Sequence, residues 1–221
     1  MSGTKSRKDI KVTRMLEFFI EATENVIEEE GIENVTARKI ADIAGYTSST
    51  IYNYFDELSH LVFFASLRFL NSYIKDLSIY IEKADDPIDK YLSSWECFCK
   101  HSFNNPEIYN VIFISDLGSE PNELLKKYYK IYQNDLLKLP EEIKMLVLEN
   151  DLSKRSKAMI LKAIENGNLS DENVETITDI TILLWKGMLT TILNNRSSYS
   201  PEKATEVTMN YIREFMNPYI K

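Results

Sequence analysis

The stretch TARKIADIAGYTSSTIYNYF occupies residues 36–55, and its two halves obey different rules. In the first half Thr36 can cap a helix over residues 37–44, with Ile40, Ala41, Ile43 and Ala44 as its buried side and Gly45 as its stop. Tyr46 then lies in a turn, and Thr47 can cap a third, short helix reaching Tyr54. That helix is built from Ser48, Ser49, Thr50, Tyr52, Asn53 and Tyr54, all middling or poor helix formers. Ile51 and Phe55 still sit four apart, as two residues on one helix face do. Such a segment gives up local propensity for its surface chemistry, and a conflict of that kind is expected at functional surfaces.

Outward from this stretch the pattern is helical everywhere. Upstream, residues 1–8 read as disordered and a helix follows over 9–30. Phe19, Ala22, Thr23, Val26 and Ile27 form its inner face, Gly31 ends it, and Ile32 and Val35 anchor the turn. Downstream, a fourth helix is expected over 58–83, with Leu61, Phe64, Ala65, Leu67 and Leu70 along it. Later breaks fall at Asp85-Asp86-Pro87, Asn104-Asn105-Pro106, Gly118-Ser119-Glu120-Pro121, Leu139-Pro140, Asn166-Gly167-Asn168 and between Asn194 and Pro201. The expected fold class is all-α, in two parts: residues 1–60, holding the motif at 36–55, and residues 61–221.

Composition narrows the class. The 221 residues are 44% hydrophobic and 27% charged, enough to bury a sizeable core, and only six glycines and six prolines interrupt the chain. No run of about 18 apolar residues is found, so no membrane span or membrane partner is expected. The charged start MSGTKSRKDIKVTR has no apolar core of a signal peptide. Cys97 and Cys99 supply no disulfide framework. Together these features point to the cytoplasm. The net charge is −8, which excludes a broad basic nucleic-acid coat. Residues 1–60 carry seven basic and eleven acidic side chains, but segregated: Lys5, Arg7, Lys8, Lys11 and Arg14 form a basic arm, and an acidic flank runs from Glu17 to Glu33.

A capped helix, a glycine turn and a second short helix make a helix-turn-helix. In that motif the second helix enters the major groove of double-stranded DNA. Ile51 and Phe55 would anchor it from inside. Ser48, Ser49, Thr50 and Asn53 outside are short enough for close approach; Asn can bond adenine N6 and N7 together, and Ser and Thr serve bases or phosphates. Tyr52 and Tyr54 can donate to phosphate oxygens. The plainer alternative is a polar helical hairpin on a protein surface.

The details resemble the TetR family of helix-turn-helix transcriptional regulators. The matching features are Thr36, Ile40-Ala41, Gly45, the polar run from Thr47 to Thr50 and Ile51-Tyr52-Asn53-Tyr54-Phe55, with Ala22 and Gly31 upstream at the family spacing. The likeness covers roughly residues 10–70. It implies base-reading roles for Ser48, Ser49, Thr50, Tyr52 and Asn53, and backbone roles for Thr36, Tyr46, Thr47 and Tyr54. One position departs. The family usually places a lysine at the start of helix four, facing a phosphate; here Leu58 stands there, next to Asp56 and Glu57. Arg38, Lys39 and the N-terminal arm must then carry more of the phosphate contact.

The resemblance further implies that the remaining helices bind a small-molecule effector and form a homodimer. The helix expected over 171–194, capped by Ser170, is apolar on more than one side in ILLWKGMLTTIL, more than a single stripe requires. Its candidate interface residues are Ile180, Leu184, Met188 and Ile192. The last helix begins at Ser200-Pro201 and offers Val207, Tyr211 and Phe215, beside Ala204. For the effector, aromatics concentrate in residues 90–132; Trp95, Phe98, Tyr109, Phe113, Tyr128 and Tyr132, with Trp185, are candidate pocket residues, though aromatics at helical spacing are also ordinary core. A hydrophobic or aromatic effector fits them better than an anion held by Lys126, Lys127 or Lys130.

Two other chemistries fit poorly. In CFCKH, Cys97 and His101 share a helix face while Cys99 points away, and two ligands do not close a zinc site. His60 and His101 are far apart in sequence, and no phosphate loop, nucleophile elbow or metalloprotease motif occurs, so neither an enzyme nor a cofactor is expected. The combined expectation is a homodimeric, ligand-responsive repressor that binds a near-palindromic DNA operator and leaves it when a hydrophobic or aromatic effector binds. The alternative is a helical small-molecule-binding or protein-interaction module that has lost DNA binding.

Overall fold

The computed structural model describes residues 7–221, and they contain thirteen α-helices, short 3-10 turns and no strand. The N-terminal half comprises α1 (Arg7–Glu30), α2 (Ala37–Ala44), α3 (Ser48–Ile51), α4 (Leu58–Arg68), α5 (Leu70–Glu82), α6 (Pro87–Asn104) and α7 (Pro106–Phe113). There follow α8 (Pro121–Ile131), α9 (Gln133–Leu137), α10 (Glu141–Val147), α11 (Leu152–Glu165), α12 (Val174–Leu193) and α13 (Pro201–Met216). Contacts divide the chain into two compact units. The first comprises the described residues through Phe69 together with Ser115–Leu139; the second comprises Leu70–Ile114 and Pro140–Lys221.

In the first unit α1 packs on α2, α4 and α8. Phe19, Ala22, Thr23, Val26 and Ile27 are buried as the periodicity requires, and Ile20 joins them. Thr36 Oγ1 accepts the Lys39 amide at 3.2 Å, and Gly45 stops α2 in the left-handed region at φ 71, where a side chain would strain the backbone. Ile43 departs from expectation: it is 51% exposed. A helix turns by about 100° per residue, so Ile40, Ala41 and Ala44 cluster on one side and Ile43 falls beyond its edge.

Other boundaries differ for local reasons. Helix α1 starts at Arg7 rather than residue 9, so Arg7 and Lys8 are helical; Lys5 lies outside the described residues. Helix α3 ends at Ile51, and residues 52–54 form a tighter turn in which the Tyr54 and Phe55 amides both donate to the Ile51 carbonyl, at 2.9 and 3.0 Å. The fourth helix is interrupted at Phe69, whose amide bonds back to Ser66 O at 3.1 Å, the i−3 geometry of a 3-10 turn. Tyr132 and the segment after Val147 add breaks that no glycine marks.

In the second unit α6 is central, packing against α5, α11, α12 and α13. Asp86 caps α6 from Ile88 N at 2.7 Å with Pro87 in its first turn. Ser200 caps α13 through the Lys203 amide at 3.3 Å. Ser170 makes no side-chain cap; it precedes a 3-10 turn at residues 171–173, and α12 proper begins at Val174. Asp171–Leu193 is long and apolar enough, by length and composition, to cross a membrane, although charges interrupt it at Glu175, Asp179 and Lys186. Ile177, Trp185 and Leu189 of this segment are fully buried in the unit, with Trp185 Nε1 donating to Ser102 Oγ at 2.9 Å.

Candidate nucleic-acid interface

The outer surface of α2, α3 and the turn after them carries the side chains singled out from the sequence. Thr36, Arg38, Tyr46, Thr47, Ser49, Tyr52 and Asn53 are exposed, while Lys39, Ser48, Thr50 and Tyr54 are half-buried. Beneath them Ile51 is wholly buried and Phe55 nearly so. Phe55 meets Phe64 edge-on with centroids 5.7 Å apart, which pins the end of the segment to α4. Residues 45–55 hold no carboxylate, so this part of the surface is neutral and polar.

Its side chains are ordered in different ways. Thr47 does not cap α3 through its side chain. Its hydroxyl instead bonds Ser49 Oγ at 2.9 Å and Thr50 Oγ1 at 3.0 Å. The three hydroxyls orient one another, and each retains hydrogen-bonding capacity for a partner. Tyr46 leans on Phe19 and Phe18 at 5.7 and 6.3 Å, and Tyr54 on Phe19 at 5.9 Å. Both rings are thus held against α1. No hydrogen bond to the Asn53 side chain is made among the described residues.

The cations are less uniform. Lys39 Nζ is paired with Glu30 at 2.6 Å, which competes with any phosphate. Arg38 touches Asp42 at 3.8 Å with both side chains largely exposed, a weak pair that a phosphate can replace. Arg7, Lys8, Lys11 and Arg14 are exposed along the first turns of α1. Leu58 is half-buried at the start of α4, behind exposed Asp56 and Glu57; Glu57 accepts from Ser59 Oγ at 3.0 Å. Replacing Leu58 by Lys is expected to raise affinity for every duplex and to steepen the log-log salt dependence by about 0.9 for the added phosphate contact. Titrations at several salt concentrations read that slope directly.

The candidate pocket residues fall into two groups. Trp95, Phe98, Tyr109, Phe113 and Trp185 form one cluster in the second unit, with Phe98 at 5.1–5.5 Å from each of the others. Tyr128 and Tyr132 instead belong to the first unit, because α8 packs on α1 and α4. Tyr132 lies under the Arg68 guanidinium at 4.6 Å, and Arg68 also reaches Asp135 at 3.3 Å and Glu24 at 3.6 Å. Sequence reasoning missed this ion cluster, along with His60, whose Nε2–H donates to Leu117 O at 2.9 Å. Both contacts join residues far apart in the chain. A cavity of about 600 Å³ opens in the first unit beside Leu16, Tyr54, His60, Phe64 and Leu124.

Cys97 and Cys99 are buried free thiols, pushed up in pKa by burial, Cys97 to about 12. His101 is 2.9 Å from Asp76. Among the described residues no three His, Cys, Asp or Glu side chains gather as a metal site would.

On the candidate dimer surface, Ile180, Leu184, Met188 and Ile192 form a half-exposed stripe at four-residue spacing, and Leu183 beside it is 62% exposed. Helix α13 packs against α12 and presents Val207 and Phe215, half-buried, with Tyr211 exposed between them.

Residues 19–62 match the family model for bacterial regulatory proteins of the tetR family. No curated protein matches the sequence. The fold is similar to RolR in complex with resorcinol (TM-score 0.58, 18% identity, 91% of this chain and 88% of that one). It is also similar to Thermus thermophilus FadR, a TetR-family repressor in complex with lauroyl-CoA (TM-score 0.59, 14% identity, 91% and 94%). A TetR-family regulator from Syntrophomonas wolfei has the same fold (TM-score 0.59, 15% identity, 91% and 94%). The surface of α2 and α3 lies within the matched segment, which is similar to the N-terminal part of tetR-family regulators, and the whole chain has the all-α fold of those three structures.

Proposed function

We propose that the protein is a homodimeric repressor that binds a near-palindromic DNA operator and is released by a small-molecule effector. The carrying observation is the surface of residues 46–54: hydroxyls, phenols and one unpartnered amide, free of carboxylates, seated on buried Ile51 and Phe55. Ser48, Ser49, Thr50, Tyr52 and Asn53 read base edges; Thr36, Tyr46, Thr47, Tyr54, Arg38 and the basic first turns of α1 hold phosphates. Residues 1–60 are the DNA-binding domain in this reading, and residues 61–221 bind effector and dimerise, in the cytoplasm.

The half-exposed stripes of α12 and α13 support the dimer, since an apolar face of this extent is normally covered. Two helices from each subunit would then place two reading surfaces one helical turn of DNA apart. Hydroxyl-radical footprinting on a duplex selected from a random pool tests this. Two protected half-sites with centres about 34–36 Å apart are expected; a single protected patch contradicts the dimeric reading. Replacing Leu184 by Glu puts a charge into the proposed interface. It is expected to give monomers in sedimentation equilibrium with unchanged helix content, and to weaken operator binding.

Release works by population shift: effector bound among residues 61–221 favours a spacing of the two reading surfaces that no longer fits the operator. Linkage requires that DNA weaken effector binding by the same factor. The acidic start of α4 favours a second reading, in which the fold persists without DNA binding. In that case Leu58→Lys restores specific binding that the unmodified chain lacks.

A further inference from the structure

Among the described residues Arg155 is a charge without a counter-charge. It lies on α11, is 7% exposed, and its guanidinium donates to Tyr73 Oη at 3.2 Å. Around it stand rings: Phe113 at 5.3 Å, and Phe98 and Tyr73 each at 5.9 Å from Cζ. Every other ion pair of the described residues involves different side chains, and no carboxylate is paired with Arg155. Arginine does not deprotonate in proteins, so this site holds a permanent positive charge among aromatics. A buried unpaired charge is among the most costly features a fold can retain. Faces of three rings offset part of that cost, and Tyr73 Oη accepts one of the guanidinium's donors.

The surroundings have the polarity of a ligand site. Tyr109, in the same aromatic cluster, has a fully buried hydroxyl with no partner. Burial pushes the Tyr73 phenol up to about 12 and the Tyr109 phenol well above its ordinary value, so both stay protonated donors at neutral pH. A cavity of about 20 Å³ touches Arg155, Tyr73, Trp95 and Phe98, with space for about one water. A second cavity of about 160 Å³ opens between Ile81, Tyr91, Leu146 and Ala158, with Lys90 and Lys162 at its edge. Met159 lines both cavities. Methionine is unbranched and repacks readily, so a rotation of this one side chain would join them.

We infer that the effector is a carboxylic acid with an apolar or aromatic body, its carboxylate held by Arg155 and its body lying past Met159 in the larger cavity. This rests on the effector-responsive reading above and names the ligand class for it. The planar guanidinium matches a carboxylate with two parallel hydrogen bonds, and the rings and Met159 take the apolar body. The sequence had favoured a hydrophobic or aromatic effector with solvent-exposed lysines as the only anion holders; the buried arginine supplies the anion site instead.

The test uses the full-length protein without DNA, probed with benzoate and decanoate at millimolar concentration beside benzamide and decanol. Thermal midpoint and tryptophan fluorescence report binding, since Trp95 and Trp185 stand in the cluster. At least one acid is expected to raise the midpoint and bind roughly 10- to 100-fold more tightly than its neutral analogue, as for hydrogen bonds to a charged group. Arg155→Met, close in shape, should abolish that preference while leaving the ligand-free midpoint unchanged or higher, because it removes an unpaired charge. Equal binding of acids and neutral analogues, absence of any shift with either acid, or an Arg155→Met protein that keeps the preference overturns the inference. Because these readouts need no DNA, acid binding without operator binding would sink the repressor reading and leave this one standing.

Discussion

Replacing Asn53 by alanine is expected to leave the thermal midpoint unchanged and to cost about 1–3 kcal/mol of discrimination between operator and unrelated duplex. The side chain is exposed, and no partner in the described chain depends on it, so the stability change should stay within about 0.5 kcal/mol. In the proposed reading, what is lost is a two-point contact to one base pair. Affinity for unrelated DNA, carried by phosphates, should hardly move, so the specificity ratio falls roughly 10- to 100-fold while the salt slope stays constant. Parallel titrations with operator and scrambled duplex separate these terms. An equal loss on both duplexes would place Asn53 among the phosphate contacts instead.

Ile51→Ala should cost stability as well as DNA binding. Ile51 is wholly buried, and its carbonyl accepts from both Tyr54 and Phe55. Truncating such a side chain costs about 2–5 kcal/mol, a large share of the roughly 5–15 kcal/mol that holds a domain folded. Urea unfolding should report that loss, and operator affinity should fall because α3 no longer rests on a fixed support. The pair of variants separates surface from anchor: Asn53→Ala keeps the fold and loses discrimination, whereas Ile51→Ala loses both together. Retained stability in Ile51→Ala would mean that the neighbouring core closes over the cavity and that α3 is held by Phe55 and the tyrosine rings.

The helix-turn-helix was legible because each of its signals is local. Thr36 binds an amide three residues on, Gly45 takes a conformation other residues avoid, and Ile51 and Phe55 announce the inner face by spacing. Proline and asparagine clusters likewise marked the starts of α6, α7, α8 and α13. What the sequence hid depends on distant partners or on geometry without a residue signature. The interruption at Phe69 falls in an apolar run with no breaker. The packing of residues 115–139 with the N-terminal unit rests on contacts such as His60 to Leu117. The aromatics between residues 90 and 132 looked like one population; the fold separates Tyr128 and Tyr132, committed to Arg68, from the cluster around Phe98. Arg155 gave no signal at all, since an arginine four residues into a charged helix reads as surface until its neighbours are known.

The central claim is that residues 46–54 read DNA sequence. The most direct test is a fluorescence-anisotropy titration of the protein against a duplex that it selects from a random pool, beside a scrambled duplex, at two salt concentrations. A preference of about 10³ or more for the selected duplex is predicted, in the range of specific regulators, present at both salts and reduced in Asn53→Ala. A pool that fails to converge, or equal binding of the two duplexes at both salts, would contradict it.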